Sequence, residues 1–169
     1  LSLYSEEQYT VQERGFLTEV FINSWYRWDT GYFLKIADQG FSSYDGSTAF
    51  APLYPLLIRL ISRFVRGNYL ISGIILSNFF CITTYILFYI STLYEFKGDT
   101  TISRRALLFL ICFPTAFFLF APYSESIYLT FILSSWLSAR NDRWFLAGIS
   151  GSFAVLTRFQ GVFVVIMLG

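Results

Sequence analysis

The run from Leu70 to Tyr94, about 25 residues without a formal charge, restricts this chain more than any other stretch. A helix of that length rises roughly 37 Å at 1.5 Å per residue, enough to cross a hydrocarbon core of roughly 30 Å. Its small residues Gly73, Ser77, Cys81 and Thr84 fall on one stripe, the kind of face along which membrane helices approach closely. The composition agrees: 55% of the residues are hydrophobic, 14% are charged and the mean hydropathy is +0.54, where soluble domains carry about 25% charged residues. A net charge of +1 leaves no electrostatic footprint for nucleic acid. The absence of histidine excludes Ser-His-Asp and Cys-His catalysis and His-ligated metal sites. Cys81 and Cys112 lie within apolar runs and read as small buried hydrophobes rather than a disulfide.

Further apolar runs follow, so the expected fold is all-α, a polytopic helical membrane protein. A second span is expected over Ala106–Ala121 with Pro114 kinking it, and a third over Ser126–Ala139. A fourth starts at Trp144 and is interrupted by Arg158-Phe159-Gln160-Gly161. Residues 69–169 thus read as a transmembrane bundle of about four spans, the last incomplete, and the chain as an internal piece of a longer protein.

Residues 1–68 read as an outer loop carrying interfacial helices. From Phe16, the positions Leu17, Val20, Phe21, Trp25 and Trp28 recur at helical spacing, which predicts an amphipathic helix in the plane of the bilayer surface. A second short helix is expected from Thr30 to about Asp38, stopped by Gly40. Ala49–Val65 carries Pro52, Pro55, Arg59 and Arg63. An arginine at a helix centre costs about 2.5–3.5 kcal/mol on insertion scales, so this stretch reads as interfacial or re-entrant. The loops holding Lys97, Arg104, Arg105, Arg140 and Arg143 must share one side, and the positive-inside rule makes that side cytoplasmic. A true span over 49–65 would flip the sides.

Under this topology the unusual polar residues converge on the outer side. Asp29 follows Trp25-Tyr26-Arg27-Trp28, and Glu125 sits in the Pro122-Tyr123-Ser124-Glu125 turn. Arg158 lies about 22 Å up a helix from Arg143 at 1.5 Å per residue, in the outer half of the bilayer. Asn78 lies below the outer end of the first span. Ionisable groups within a membrane usually mark a substrate path. Each residue also has a structural reading. Asp29 could cap the helix at Thr30, Glu125 could cap the next span, Arg158 could snorkel or pair with a carboxylate, and Asn78 could bond a neighbouring helix. Trp25 and Trp28 could serve as interfacial anchors or as a sugar platform.

In chain order come Arg27-Trp28-Asp29, Ile36-Ala37-x-x-Gly40-Phe41, Ala49-Phe50-x-Pro52-Leu53-Tyr54-Pro55-Leu56 and Ser77-Asn78. Then follow Phe113-Pro114-Thr115-Ala116-Phe117-Phe118, Pro122-Tyr123-Ser124-Glu125-Ser126, Ala139-Arg140, Arg143-Trp144 and Leu156-Thr157-Arg158-x-x-Gly161. Together they resemble the GPI mannosyltransferase II (PIG-V) family and its prokaryotic relatives in the GT-C superfamily, across residues 25–162. Two positions depart from that pattern: Ala51 stands where a second aromatic is expected, and Gln160 where a proline or small residue is frequent.

The resemblance implies a GT-C-like bundle and an inverting hexosyltransferase that takes mannose from a polyprenyl or dolichyl phosphate on the outer or lumenal face. It implies no cofactor and no nucleotide sugar, with metal use varying across the superfamily. The acceptor would be a glycolipid or another molecule. The membrane would be the plasma membrane in a prokaryote and the endoplasmic reticulum in a eukaryote. Asp29 takes the place of the base. Arg158 would hold the donor phosphate, with Trp28, Asn78, Tyr123 and Glu125 binding or positioning substrate. The competing expectation is a transporter or flippase of lipid-linked sugar.

Overall fold

The computed structural model describes Tyr9, Gly15, Phe16, Val20, residues 22–164 and Ile166. Among them the chain is helical without strands. The expected amphipathic helix from Phe16 falls largely outside the described residues; Asn23–Trp25 forms a single 3-10 turn.

The first described helices are short. Helix α1, Thr30–Gln39, ends at Gly40, whose φ of 84° suits a residue without a Cβ. It buries Phe33, Leu34, Ile36 and Ala37. Helix α2, Leu53–Ser62, covers only the middle of the Ala49–Val65 run and at about 15 Å is too short to cross. It turns Tyr54, Ile58 and Ser62 inward, one stripe at four-residue spacing.

Helix α3, Tyr69–Glu95, is the one helix among the described residues long and apolar enough to cross a membrane. The small-residue stripe is buried as its sequence predicts: Gly73, Ser77, Cys81 and Thr84 all face inward. On its other side Ile75, Phe79, Ile82, Ile86 and Ile90 stand exposed. The helix thus buries its small and hydroxyl-bearing residues and leaves its isoleucines on the surface.

Of the three later helices, two fall close to the bounds read from the sequence and only the expected Ala106–Ala121 span is displaced. Helix α4 is Thr100–Cys112, α5 is Glu125–Arg140 and α6 is Trp144–Thr157. At 1.5 Å per residue they measure about 20, 24 and 21 Å. The expected kinked span over Ala106–Ala121 is instead broken. Phe113 takes an extended conformation, ψ 137°, as the residue before a proline is sterically pushed to do. A 3-10 turn, Ala116–Leu119, then leads into the Pro122–Glu125 turn. The two cysteines are free. Cys81 is buried, whereas Cys112 faces outward.

Helix α3 packs along α5, and α5 pairs extensively with α6. Hydroxyl groups stitch these faces together. Thr84 donates to the Ser126 carbonyl at 2.8 Å and lies 2.9 Å from the Thr130 hydroxyl. Ser135 donates to the Ala147 carbonyl at 2.8 Å. At one end Arg140 pairs with Glu95, and the Tyr94 hydroxyl donates to the Arg140 carbonyl at 2.9 Å. The ends of α3 and α5 that lead into the basic loops therefore lie side by side, as two intervening helical segments would place them. The main core sits at the opposite end, where α1, α2, the Ala121–Tyr123 segment and the start of α5 meet around Leu34, Tyr54, Ile58 and Ile127.

Candidate active site

That end of the bundle holds the candidate site, and its polar residues are set by helix termini. Asp29 occupies the N-cap position of α1 but makes no capping hydrogen bond with its side chain. Its carboxylate is exposed and has no hydrogen bond or ion pair among the described residues. The preceding Trp28 adopts φ 46°, a left-handed conformation that costs a bulky residue of order 1–3 kcal/mol. Three bonds hold it there. The Tyr123 hydroxyl donates to the Arg27 carbonyl at 3.1 Å, and the Thr30 amide donates to the same carbonyl at 3.1 Å. The buried Thr30 hydroxyl donates to the Pro122 carbonyl at 3.5 Å. The loop carrying Asp29 is thereby tied to the Pro122–Glu125 turn through Thr30, 92 residues before Pro122.

Behind the turn lies a buried relay. The Tyr54 hydroxyl lies 2.7 Å from the Ser77 hydroxyl and donates to the Gly73 carbonyl at 3.3 Å. Ser77 in turn donates to the Tyr123 carbonyl at 3.1 Å. Burial pushes the Tyr54 hydroxyl far above its ordinary ionisation range, and the Tyr123 hydroxyl is raised too, also chiefly by burial. Both are neutral hydrogen-bonding struts at any physiological pH. Tyr123, expected to bind substrate, has its hydroxyl committed to the Asp29 loop.

Glu125 opens α5, and its side chain does not cap that helix; Arg158 Nη1 donates to Glu125 Oε1 in an ion pair about one-third exposed on each side. The other oxygen, Glu125 Oε2, is buried without a partner among the described residues. Arg158 reaches Glu125 because α6 stops at Thr157 and Arg158 turns extended, φ −150° and ψ 137°. The chain then doubles back so tightly that a Cβ on Gly161 would lie 2.4 Å from the Val155 nitrogen. Only glycine fits there.

Three adjoining hollows meet at Glu125. A small chamber of about 140 Å³ has Asp29, Tyr123, Glu125, Arg158 and Gln160 in its walls. An apolar groove of about 550 Å³, lined by Leu110, Phe113, Phe118, Leu119 and Leu129, shares Glu125, Arg158 and Gln160 with it. A third hollow of about 220 Å³ lies among Trp28, Asp29, Phe118, Tyr123 and Glu125.

Asp29, Trp28, Tyr123, Glu125 and Arg158 are thus brought together. Asn78 is not: its amide donates to the Ile74 carbonyl at 2.8 Å and the Phe120 carbonyl at 3.2 Å, and it lines none of the three hollows. The sequence did not point to Phe33, Phe50, Thr157 or Phe118 as wall residues. Ala51 and Gln160, the two departures from the resembled pattern, both line the chamber that holds Asp29. A family model described as mannosyltransferase (PIG-V) matches residues 10–166.

The chain belongs to the PIG-V mannosyltransferase family. No curated protein and no solved structure matches it. For a PIG-V mannosyltransferase the arrangement offers a free carboxylate beside an arginine-bearing chamber, opening onto an apolar groove.

Proposed function

We propose that this chain is an integral-membrane inverting mannosyltransferase of the GT-C type, taking mannose from a polyprenyl- or dolichyl-phosphate carrier on the outer or lumenal face. One observation carries the reading: the apolar groove and the polar chamber share Glu125, Arg158 and Gln160 at their seam. An isoprenoid phosphate sugar has the same three parts in the same order: apolar tail, anion and polyol. The exposed apolar faces of α3, α4 and α6, among them Phe79, Phe109 and Phe145, support a lipid surrounding. The pairing of the basic loops through Arg140 and Glu95 supports a cytoplasmic end opposite the site.

In this reading the tail lies in the groove and the phosphate meets Arg158. Nη1 of that guanidinium is engaged by Glu125, and its remaining N–H groups can hold the anion. The acceptor hydroxyl oxygen attacks the anomeric carbon from the face opposite the phosphate. A new carbon–oxygen bond forms, the bond to the phosphate oxygen breaks, and the electron pair leaves with the polyprenyl phosphate. Asp29 takes the hydroxyl proton, a role worth about 10²–10⁴-fold in rate. Arg158 offsets the charge gathering on the leaving phosphate. Asp29 is exposed, so exclusion of water falls to the bound donor and acceptor.

The test uses the full-length protein in proteoliposomes given polyprenyl-phosphate mannose with a radiolabelled sugar. A new mannosidic product is expected, with release of polyprenyl phosphate. Movement of the intact donor between leaflets with no new glycosidic bond would instead establish a flippase.

A further inference from the structure

The hollow of about 220 Å³ beside Asp29 does not have Arg158, the proposed partner of the donor phosphate, in its walls. Its walls are Trp28, Asp29, Phe118, Tyr123 and Glu125. Asp29, Tyr123 and Glu125 also line the 140 Å³ chamber, so these three residues border both cavities. A base that takes a proton from one substrate while a second substrate departs needs such a position. We infer that the Trp28 hollow is the acceptor subsite, and that it takes a saccharide ring stacked on the Trp28 indole. The inference rests on the mannosyl-transfer reading for its catalytic consequence, but not for the binding itself.

Three observations support a sugar. The two tryptophans of the loop part company. Trp25 is half-buried, edge-on to Phe120 at 5.8 Å, whereas Trp28 is 73% exposed on the rim of the hollow. Trp28 is kept there in a left-handed conformation, where Gly or Asn would be unstrained. Such strain at a cavity points to a functional demand on the side chain. The chemistry of the walls also matches a pyranose. The indole face is electron-rich and suits the apolar C–H face of a ring, while ionised Asp29 and Glu125 only accept hydrogen bonds and suit its hydroxyl rim. Phe118, 6.3 Å from Trp28, closes the aromatic side. The space fits one ring rather than a drug-sized ligand, whose pockets begin at about 300 Å³.

The experiment has two arms on the full-length protein in nanodiscs. In the first, saturation-transfer NMR is recorded on methyl glycosides of mannose, glucose and glucosamine. At least one should give a saturable signal that Trp28→Phe keeps and Trp28→Ala lowers about fivefold or more. An unchanged signal in Trp28→Ala overturns the inference. So does strong quenching of Trp28 by brominated lipid with no sugar signal at all, which marks a bilayer anchor. In the second arm, octyl glycosides of the same sugars serve as acceptors. Trp28→Ala should raise the acceptor KM about tenfold, the equivalent of roughly 1.4 kcal/mol, while the donor KM stays within about twofold. A rise confined to the donor KM overturns it. If the wild type transfers no mannose yet binds sugar through Trp28, the saccharide site stands and the transfer reading falls. If transfer proceeds and Trp28→Ala behaves as wild type in both arms, the reverse holds.

Discussion

Asn68, Asp99 and Asp29 all stand at the N-cap of a helix, and two of the three act as caps. Asn68 Oδ1 accepts the Ile71 amide at 2.9 Å, and Asp99 Oδ1 accepts the Thr101 and Ile102 amides at 2.8 and 3.0 Å. Asp29 leaves that bond unmade. Asp99→Ala should therefore lower stability by about 1 kcal/mol, whereas Asp29→Asn should leave the melting temperature close to that of the wild type; thermal unfolding in detergent checks both. Sequence shows a residue type able to cap a helix at all three sites but does not say which would be spent on its own helix. That depends on Trp28 turning left-handed and on Tyr123 bonding Arg27, neither of which has a local signature. Lys35 and Asp45 were silent for the same reason. Their ion pair at 2.7 Å, helped by the Ser47 hydroxyl and amide, holds the Asp45 carboxyl down to about 2. A depressed folded-state value means the tether is fully present above the ordinary carboxylate value near 3.8 and is lost as pH falls towards 2. Backbone hydrogen exchange of the 41–48 loop, normalised to the intrinsic rate at each pH, in the wild type should approach that of Asp45→Asn over this window, and the protection gap between them should stay constant from pH 5 to 8.

At the scale of elements, breaks in the helices matter more than the helices themselves. The backbone between α4 and α5 and that after α6 are irregular, and both line the hollows. Non-helical backbone at membrane depth is tolerated where it borders a cavity. Pro114 was visible, but a proline can kink a helix or end it, and the extended Phe113 decides for the second. The break at Arg158 has no proline at all. Its reason is Gly161, whose backbone presses on Ala154 and Val155, a contact made only in three dimensions. Gly161→Ala should cost at least the 1–3 kcal/mol typical of overpacking, and it should displace Arg158 from Glu125. Lower thermal stability together with a raised donor KM would bear this out. An alanine variant with wild-type stability would contradict the close approach.

For the molecule as a whole, the long α3 and the pairing of the two basic loops followed from hydropathy and charge, because both depend on pattern and not on exact contacts. The bounds of α5 and α6 also fell close to those read from the sequence; those of α4 did not, since an apolar run does not reveal where its backbone leaves the helix. The two-ended arrangement makes a labelling prediction. In sealed vesicles of the full-length protein, cysteines placed at Gly98 and Asn141 in a background lacking Cys81 and Cys112 should react from one side. A cysteine at Ser43 should react from the other. Labelling of all three from a single side would remove the outer-face assignment of the site.

The most direct measurement of the central claim is mannose transfer from polyprenyl-phosphate mannose by full-length wild type and Asp29→Asn at equal amounts of folded protein. Loss of roughly 10²–10⁴-fold in kcat with donor KM little changed is the expected result. Turnover within a fewfold of wild type in the folded Asp29→Asn protein would show that the proton leaves the acceptor by another route.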